Sequence, residues 1–173
     1  RVLDLNAGTG LLTWEALRRV PEGGVWAWTA DRTTAIALQE LAARLPETER
    51  PRVLSGPLAE LAERLEADTP GLRCDAIAGR NALGGLSDKR EALAQIRRVA
   101  APHARVSLAE TVFASAQRLY ALVDLEPLPE ALGERLRQAE EAIYAAADAR
   151  VRWSPEELAS LASEAGFAEV HVQ

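Results

Sequence analysis

The stretch RVLDLNAGTG at residues 1–10, followed by LLTWEA at residues 11–16, decides the fold of this chain. Its apolar first half gives way to small residues and then to apolar residues at helical spacing. This order predicts a buried strand, a tight glycine turn and the first turn of a helix. Gly8 and Gly10 lack a Cβ, so the chain can turn sharply there and a ligand can approach the backbone. The N–H groups and the dipole of the following helix favour an anionic or polar ligand group.

Composition bounds the classes of protein that fit the chain. Its 173 residues, 48% of them hydrophobic, are enough for one globular domain with its own core. A net charge of −6 without a basic cluster argues against direct nucleic-acid binding. No apolar run of about 18 residues is present, which argues against a membrane span. The single Cys74 lies in a hydrophobic run, so we expect a buried thiol and a reducing, cytoplasmic setting.

Strand and helix patterns alternate along most of the chain, which predicts a parallel sheet with helices on both faces. After the opening strand, the further predicted strands are residues 25–30, 52–56, 74–79, 105–110 and 168–172. Apolar residues at helical spacing are expected to face the core from the connecting helices: Ile36, Leu41, Leu45, Leu58, Leu61, Leu65, Leu93, Ile96 and Val99. The alternation stops at residues 111–152, where the spacing suggests two or three helices. It resumes with a helix that Ser154 caps and that Gly166 follows.

Two kinds of ligand compete for the glycine turn. A dinucleotide site requires the pattern G-x-G-x-x-G/A, and Thr13 stands at its third position, which disfavours a nicotinamide cofactor. The pattern Asp4-x-Asn6-x-Gly8-x-Gly10 instead resembles the first motif of class I S-adenosylmethionine-dependent methyltransferases. In that family an acidic residue inside the first strand helps to order the loop that holds the methionine moiety of the cofactor.

The resemblance continues through most of the chain except residues 111–152. Asp31-Arg32 after the second strand resembles the family's second motif, where an acid can bond the ribose hydroxyls; Asp31 is equally a candidate helix N-cap. Pro57 stands where many members place an Asp beside the adenine amine, so adenine recognition would fall to backbone groups or Leu58. Residues 80–83 resemble the loop beneath the transferable methyl group.

The resemblance implies a Rossmann-like, doubly wound, mainly parallel sheet of six strands, with a helical insertion at about residues 111–152 after strand five. It implies S-adenosyl-L-methionine as the cofactor, and a small-molecule or protein acceptor that enters beside residues 80–83. The implied cofactor-binding residues are Asp4, Asn6, Ala7, Gly8, Thr9, Gly10, Asp31, Arg32, Pro57, Leu58, Arg80 and Asn81. We assign no catalytic residue and no metal ligand, since methyl transfer chiefly requires alignment of the reacting groups.

The chain also departs from the family pattern. Asn6 replaces a glycine common in the first motif, and the seventh, antiparallel strand is missing. No Asn/Asp-Pro-Pro-aromatic motif occurs near residues 80–84, which argues against amino methylation of nucleic-acid bases. Residues 5–16, 79–82 and 139–144 also resemble a methyltransferase-like region fused behind a replication-associated recombination AAA+ ATPase. A start without Met, inside a strand, agrees with a piece of a longer polypeptide whose other domains would be partners.

Three hypotheses follow from the sequence. The leading one is a class I methyltransferase-like domain, and the second is a degenerate module kept for interaction or regulation. A nicotinamide-dependent oxidoreductase is the third. Among other side chains, Glu110 is the best-placed candidate base, although we favour a solvated or capping role for it. We expect His103 and His171 to be structural or solvent-facing, and these aromatic residues to pack: Trp26, Trp28, Tyr120, Tyr144 and Trp153.

Overall fold

The computed structural model describes residues 1–145, 148 and 152–173. Within them the strands are β1 (Val2–Leu5), β2 (Val25–Thr29), β3 (Arg52–Ser55), β4 (Cys74–Arg80) and β5 (Ala100–Ala109). The helices are α1 (Leu11–Arg19), α2 (Arg32–Ala42), α3 (Leu61–Asp68), α4 (Lys89–Val99), α5 (Glu130–Ala145) and α6 (Pro155–Glu164). Short 3-10 turns lie at Glu47–Glu49, Leu58–Glu60, Phe113–Ser115 and Leu119–Ala121.

The sheet has the order β3-β2-β1-β4-β5, and every neighbouring pair of strands is parallel. Leu3 of β1 lies in register with Trp26 of β2 and Ile77 of β4, so β1 is the central strand. The chain runs outward from β1 to β3 and then returns to add β4 on the other side of β1. Such a reversal opens a crevice at the carboxyl ends of the strands. The predicted parallel α/β architecture is therefore confirmed.

Helices cover both faces of this sheet. The larger core packs α3, α4 and α6 against side chains such as Leu3, Leu5 and Ile77. The smaller core packs α1 and α2 against Ala7 and Ala27. The larger core also holds Trp26, Trp28 and Cys74, as predicted. Burial raises the pKa of the Cys74 thiol to about 11, so this thiol stays protonated near neutral pH.

The sixth predicted strand, at residues 168–172, is not present. These residues follow α6 as irregular chain, and Glu169 has a φ of 53°, which interrupts an extended run. A cleft of about 1000 Å³ is lined both by this segment and by residues of β5. The alternation of apolar residues in this segment is typical of a strand, but a strand forms only where a neighbouring strand is available to pair with it.

The inward face predicted for α2 is wrong. Ile36 and Leu41 are 47% and 41% exposed, and the buried residues of the helix are Ala35, Leu38 and Ala42. Leu38 packs with Ala27 of the sheet in the smaller core, which sets this face of the helix inward. By contrast, the faces predicted for α3 and α4 are confirmed by the burial of Leu61, Leu65, Leu93, Ile96 and Val99.

The region after β5 contains two 3-10 turns and the helix α5 in its described part. The Glu140 carboxylate of α5 accepts hydrogen bonds from the backbone N–H groups of Leu119 (2.6 Å) and Tyr120 (3.1 Å), which ties the second turn to the helix. Part of the range predicted as an insertion lies outside the described residues. None of the described helices is both long enough and apolar enough to cross a bilayer.

Replacing Gly10 by Ala tests the turn between β1 and α1. A left-handed alanine costs about 1–2 kcal/mol, and Gly10 has a φ of 87°. Its added Cβ would also lie 2.6 Å from Trp14 Nε1 and 2.7 Å from Leu38 Cδ1. We expect the collision in Gly10→Ala to lower the free energy of unfolding by about 1–3 kcal/mol beyond the cost of backbone strain. Unfolding in urea measures this loss.

Gly71→Ala is the matched control, because Gly71 has a φ of 73° and a Cβ there would meet nothing within 4 Å. It carries the backbone strain without the collision. Equal losses of stability in the two variants would contradict this account of the packing around Gly10.

Candidate functional site

The turn after β1 has a left-handed backbone at alternate residues. Asn6, Gly8 and Gly10 have φ values of 60°, 53° and 87°. The Ala7 N–H donates to the Trp28 carbonyl at 2.8 Å, which attaches the turn to β2. A Cβ on Gly8 would meet only the Asn6 carbonyl oxygen, at 3.8 Å. A ligand can therefore approach the backbone of Gly8 closely, while Gly10 is enclosed by the protein itself.

The amino terminus of α1 has no capping side chain. Its N-cap residue is Gly10, whereas Asp31, Asp88 and Ser154 cap α2, α4 and α6 with their side-chain oxygens. The first turn of a helix has N–H groups without intrahelical acceptors. At α1 Thr13 is buried against Asp4, so the N–H groups of Leu11 and Leu12 are those that remain for an anionic or polar ligand beside the crevice.

Asp4 lies on β1 and is 1% exposed. The Thr13 hydroxyl of α1 donates to Asp4 Oδ2 at 2.6 Å, while Asp4 Oδ1 has no partner among the described residues. Burial raises the pKa of Asp4, and the hydrogen bond from Thr13 acts in the opposite direction. Thr13, which the sequence singled out only as a departure from the dinucleotide pattern, is thus the partner that holds the buried acid.

Asp31 follows β2 and caps α2. Its Oδ2 accepts from the Thr34 N–H at 2.7 Å and the Thr34 hydroxyl at 2.6 Å, and its Oδ1 accepts from the Thr33 N–H at 3.3 Å. These hydrogen bonds hold the pKa of Asp31 below its usual value, and the bond from the Thr34 hydroxyl contributes most. The carboxylate is exposed, and Oδ1 has only one long hydrogen bond, so it can accept further hydroxyl donors.

The residues after β3 have different exposures. Pro57 is exposed and precedes the turn Leu58–Glu60, whereas the Leu58 side chain is 9% exposed within the larger core. The Leu58 side chain is therefore used in packing, and its backbone is what remains for a ligand. Arg32 is exposed at the first position of α2.

Asn6 connects the β1 turn to the loop after β4. Its Nδ2 donates to the carbonyls of Arg80 at 2.9 Å and Asn81 at 3.0 Å. Asn81, with a φ of 51°, accepts through Oδ1 from the N–H and the hydroxyl of Thr111, both at 2.9 Å. The sequence did not indicate these contacts, because they join segments 30 to 75 positions apart.

Glu110 holds the same loop from the side of β5. Its Oε1 accepts from the N–H groups of Ala82 (2.8 Å) and Leu83 (3.1 Å), and its Oε2 accepts from that of Gly84 (2.8 Å). This carboxylate is engaged by the backbone, which supports a structural role and not that of a base facing an acceptor. Trp153 is 6% exposed and approaches Gly84, as expected for a packing residue.

The other candidate residues lie apart from this edge. His103 is exposed in the first half of β5, and His171 is exposed in the irregular segment after α6. In the region after β5, the Tyr120 hydroxyl donates to Glu141, and the Arg118 guanidinium lies 3.6 Å from the centre of the Tyr144 ring. These tyrosines make local contacts there, in agreement with the packing interpretation.

The predicted site residues therefore follow strands whose carboxyl ends share one edge of the sheet. Asp4 to Gly10 belong to β1 and its turn, and Asp31 and Arg32 follow β2. Pro57 and Leu58 follow β3, Arg80 ends β4 and Asn81 follows it. A glycine turn after the central strand of a parallel sheet is typical of Rossmann-like α/β folds, in which ligands bind at this edge of the sheet.

Comparison with solved structures places the chain more narrowly within that class. It is similar to a putative sarcosine dimethylglycine methyltransferase from Galdieria sulphuraria, with a TM-score of 0.64 over 95% of this chain and 53% of that one, at 17% identity. It is similar to the glycopeptide N-methyltransferase MtfA complexed with S-adenosyl-L-homocysteine, with a TM-score of 0.53 over 68% and 46%, at 22% identity. The chain spans about half the length of these two proteins. It shares their fold, which is that of S-adenosylmethionine-dependent methyltransferases.

Sequence comparison adds no assignment to this fold. No protein-family model matches the chain. No curated protein sequence matches it either.

Thr13→Val tests the buried contact with Asp4, since it removes the hydroxyl and keeps the shape of the side chain. Loss of the hydrogen bond leaves a buried acceptor without a partner, and we expect the free energy of unfolding to fall by about 1–3 kcal/mol. Burial favours protonated Asp4 in the folded state, so its contribution to stability falls as pH rises from its ordinary pKa through the raised folded value. Removal of the Thr13 hydroxyl raises the pKa of Asp4 further. Thr13→Val therefore lowers the free energy of unfolding more at about pH 8 than at about pH 4.

Urea unfolding at both pH values measures this difference. In an Asp4→Asn background the effect of Thr13→Val no longer depends on pH. A loss of the same size at both pH values in the wild-type background would contradict the assignment.

Proposed function

We propose that this chain is an S-adenosylmethionine-binding domain of the class I methyltransferase type. The observation that carries the proposal is the set of ligand-ready groups along the crevice. The Gly8 backbone is open, the N-terminus of α1 is uncapped and the Asp31 carboxylate has a free acceptor position. The methyltransferase fold of solved structures similar to the chain supports the same proposal.

The residues at this edge fit the chemical groups of the cofactor. The N–H groups at the start of α1 suit the methionine carboxylate. Asp31, an exposed carboxylate whose pKa lies below its usual value, suits the ribose hydroxyls. Backbone groups at Pro57 and Leu58 suit the adenine. The cofactor supplies a methyl group on a sulfonium sulfur, and the remaining tasks of the chain are to orient that group and to exclude water.

The acceptor side of the crevice is the loop of residues 80–84. Methyl transfer requires alignment of the acceptor, the methyl group and the sulfur, and alignment contributes much of the acceleration in such displacements. A general base is needed only for an acceptor that arrives protonated. The engagement of Glu110 by three backbone N–H groups therefore does not oppose the proposal. The acceptor would be a small molecule or a protein that reaches this loop beside the region after β5.

A degenerate domain, kept for interaction or regulation, is the second candidate. Pro57 offers no side-chain hydrogen bond to an adenine, which is the observation that favours it. In either case we propose that the partners include other domains of the same polypeptide, with an AAA+ ATPase as one candidate, and that the protein acts in the cytoplasm.

Isothermal titration calorimetry with S-adenosylmethionine, S-adenosylhomocysteine and NAD tests the proposal. We expect submillimolar binding of the first two ligands and none of NAD. Asp31→Ser keeps a good N-cap but removes the carboxylate proposed to bond the ribose. Loss of a charged hydrogen bond should weaken S-adenosylhomocysteine binding by about 10–100-fold.

Asp88→Ser is the matched control, because Asp88 caps α4 in the same manner through its bond from the Glu91 N–H at 2.8 Å. It should leave the affinity unchanged. If a folded wild-type sample binds neither S-adenosyl ligand, the degenerate module is favoured, and selective binding of NAD would favour an oxidoreductase.

A further inference from the structure

We propose that Asn6 is a positioning residue that fixes the acceptor-side loop, residues 80–84, to the cofactor turn after β1. The proposal rests on the proposed function, because that function defines the two sides of the crevice. It concerns the residue at which the chain departs from the glycine common in the first motif of the methyltransferases that it resembles.

The backbone of Asn6 by itself would favour glycine. Its φ of 60° lies in the left-handed region, where most L-residues are strained and asparagine is among those that tolerate it better. The side chain supplies the reason for asparagine, because its amide group donates to two successive carbonyls, those of Arg80 and Asn81. Glycine would fit the turn but could not make either contact.

The contact continues from Asn81 toward the region after β5. The Asn81 N–H donates to the Ala109 carbonyl at 2.8 Å, and its side-chain oxygen accepts both bonds from Thr111. Asn81 is itself left-handed, with a φ of 51°. The Asn6 amide, Asn81 and Thr111 thus form one chain of hydrogen bonds across the ends of β1, β4 and β5.

Glu110 holds the other end of the same loop through the N–H groups of residues 82–84. The loop is therefore held from the β1 side by a donor and from the β5 side by an acceptor. Because the reacting atoms of a displacement must meet within a fraction of an ångström, this arrangement presets the acceptor side relative to the cofactor side. Asn6 is the only one of these residues that belongs to the cofactor turn.

Amide hydrogen exchange, measured by NMR on the ligand-free protein, tests the proposal. In Asn6→Gly the turn keeps its backbone and loses both side-chain hydrogen bonds. We expect exchange of the Asn81 and Thr111 amides to accelerate about tenfold, as loss of roughly one to two net hydrogen bonds implies. Asn6→Asp, which places an acceptor against two carbonyls, should accelerate these amides more.

Glu169→Gly is the matched control, because Glu169 has a similar φ of 53° in the segment after α6. Glu169→Gly relieves the strain of a left-handed residue without changing a contact of the loop at residues 80–84. Amide exchange at Asn81 and Thr111 should therefore stay at the wild-type rate. Thermal unfolding of each variant separates local loosening from global instability. Acceleration at these two amides in Asn6→Gly, without a lower unfolding midpoint, supports positioning.

Wild-type exchange at both amides in Asn6→Gly overturns the proposal, since Asn6 would then act only as a turn residue. The ligand experiments are separate. If the wild-type protein fails to bind S-adenosylhomocysteine while Asn6→Gly still accelerates exchange, the proposed function fails and the hydrogen-bonded link between the loops stands.

Discussion

The chain must leave β1 and enter α1 within five residues, and the left-handed backbone at Asn6, Gly8 and Gly10 makes this possible. The turn is not isolated, because the Ala7 N–H attaches it to β2 and the Asn6 amide attaches it to the loop after β4. One short segment therefore connects the central strand with both neighbouring strands. Gly10 must be glycine because Trp14 and Leu38 occupy the space of a side chain, while Gly8 leaves its backbone open toward the crevice.

Local sequence signals were sufficient for most of the fold. Apolar runs, helical spacing and capping residues are properties of short segments, and they predicted β1 to β5, the parallel sheet and the caps at Asp31 and Ser154. They failed where the outcome depends on a distant partner. The run at residues 168–172 alternates like a strand without pairing as one. The phase of α2 was wrong because apolar residues lie on more than one face of this helix, and contact with the sheet buries Leu38 and leaves Ile36 and Leu41 exposed.

The candidate site was predictable only in part, because its position follows from local signals whereas its contacts depend on distant residues. Residues that follow strands of a parallel sheet meet at one edge, so the set around the glycine turn could be chosen from the sequence. Their hydrogen-bond partners could not, since Asn6 bonds to residues 74 and 75 positions away. The contact between Asp4 and Thr13 carried a weak signal: an acid inside an apolar strand needs a donor, and the next helix faces that strand.

The polar side chains of this edge have two separate tasks. Asp4, Asn6, Asn81 and Glu110 direct their hydrogen bonds to other parts of the protein, and they fix the geometry of the edge. The Gly8 backbone, the start of α1 and one oxygen of Asp31 keep binding capacity for a ligand. A site whose framework is held this way loses little conformational entropy when a ligand binds, because its loops are already ordered. Such prior alignment is also what the proposed methyl transfer from a sulfonium would require of this edge.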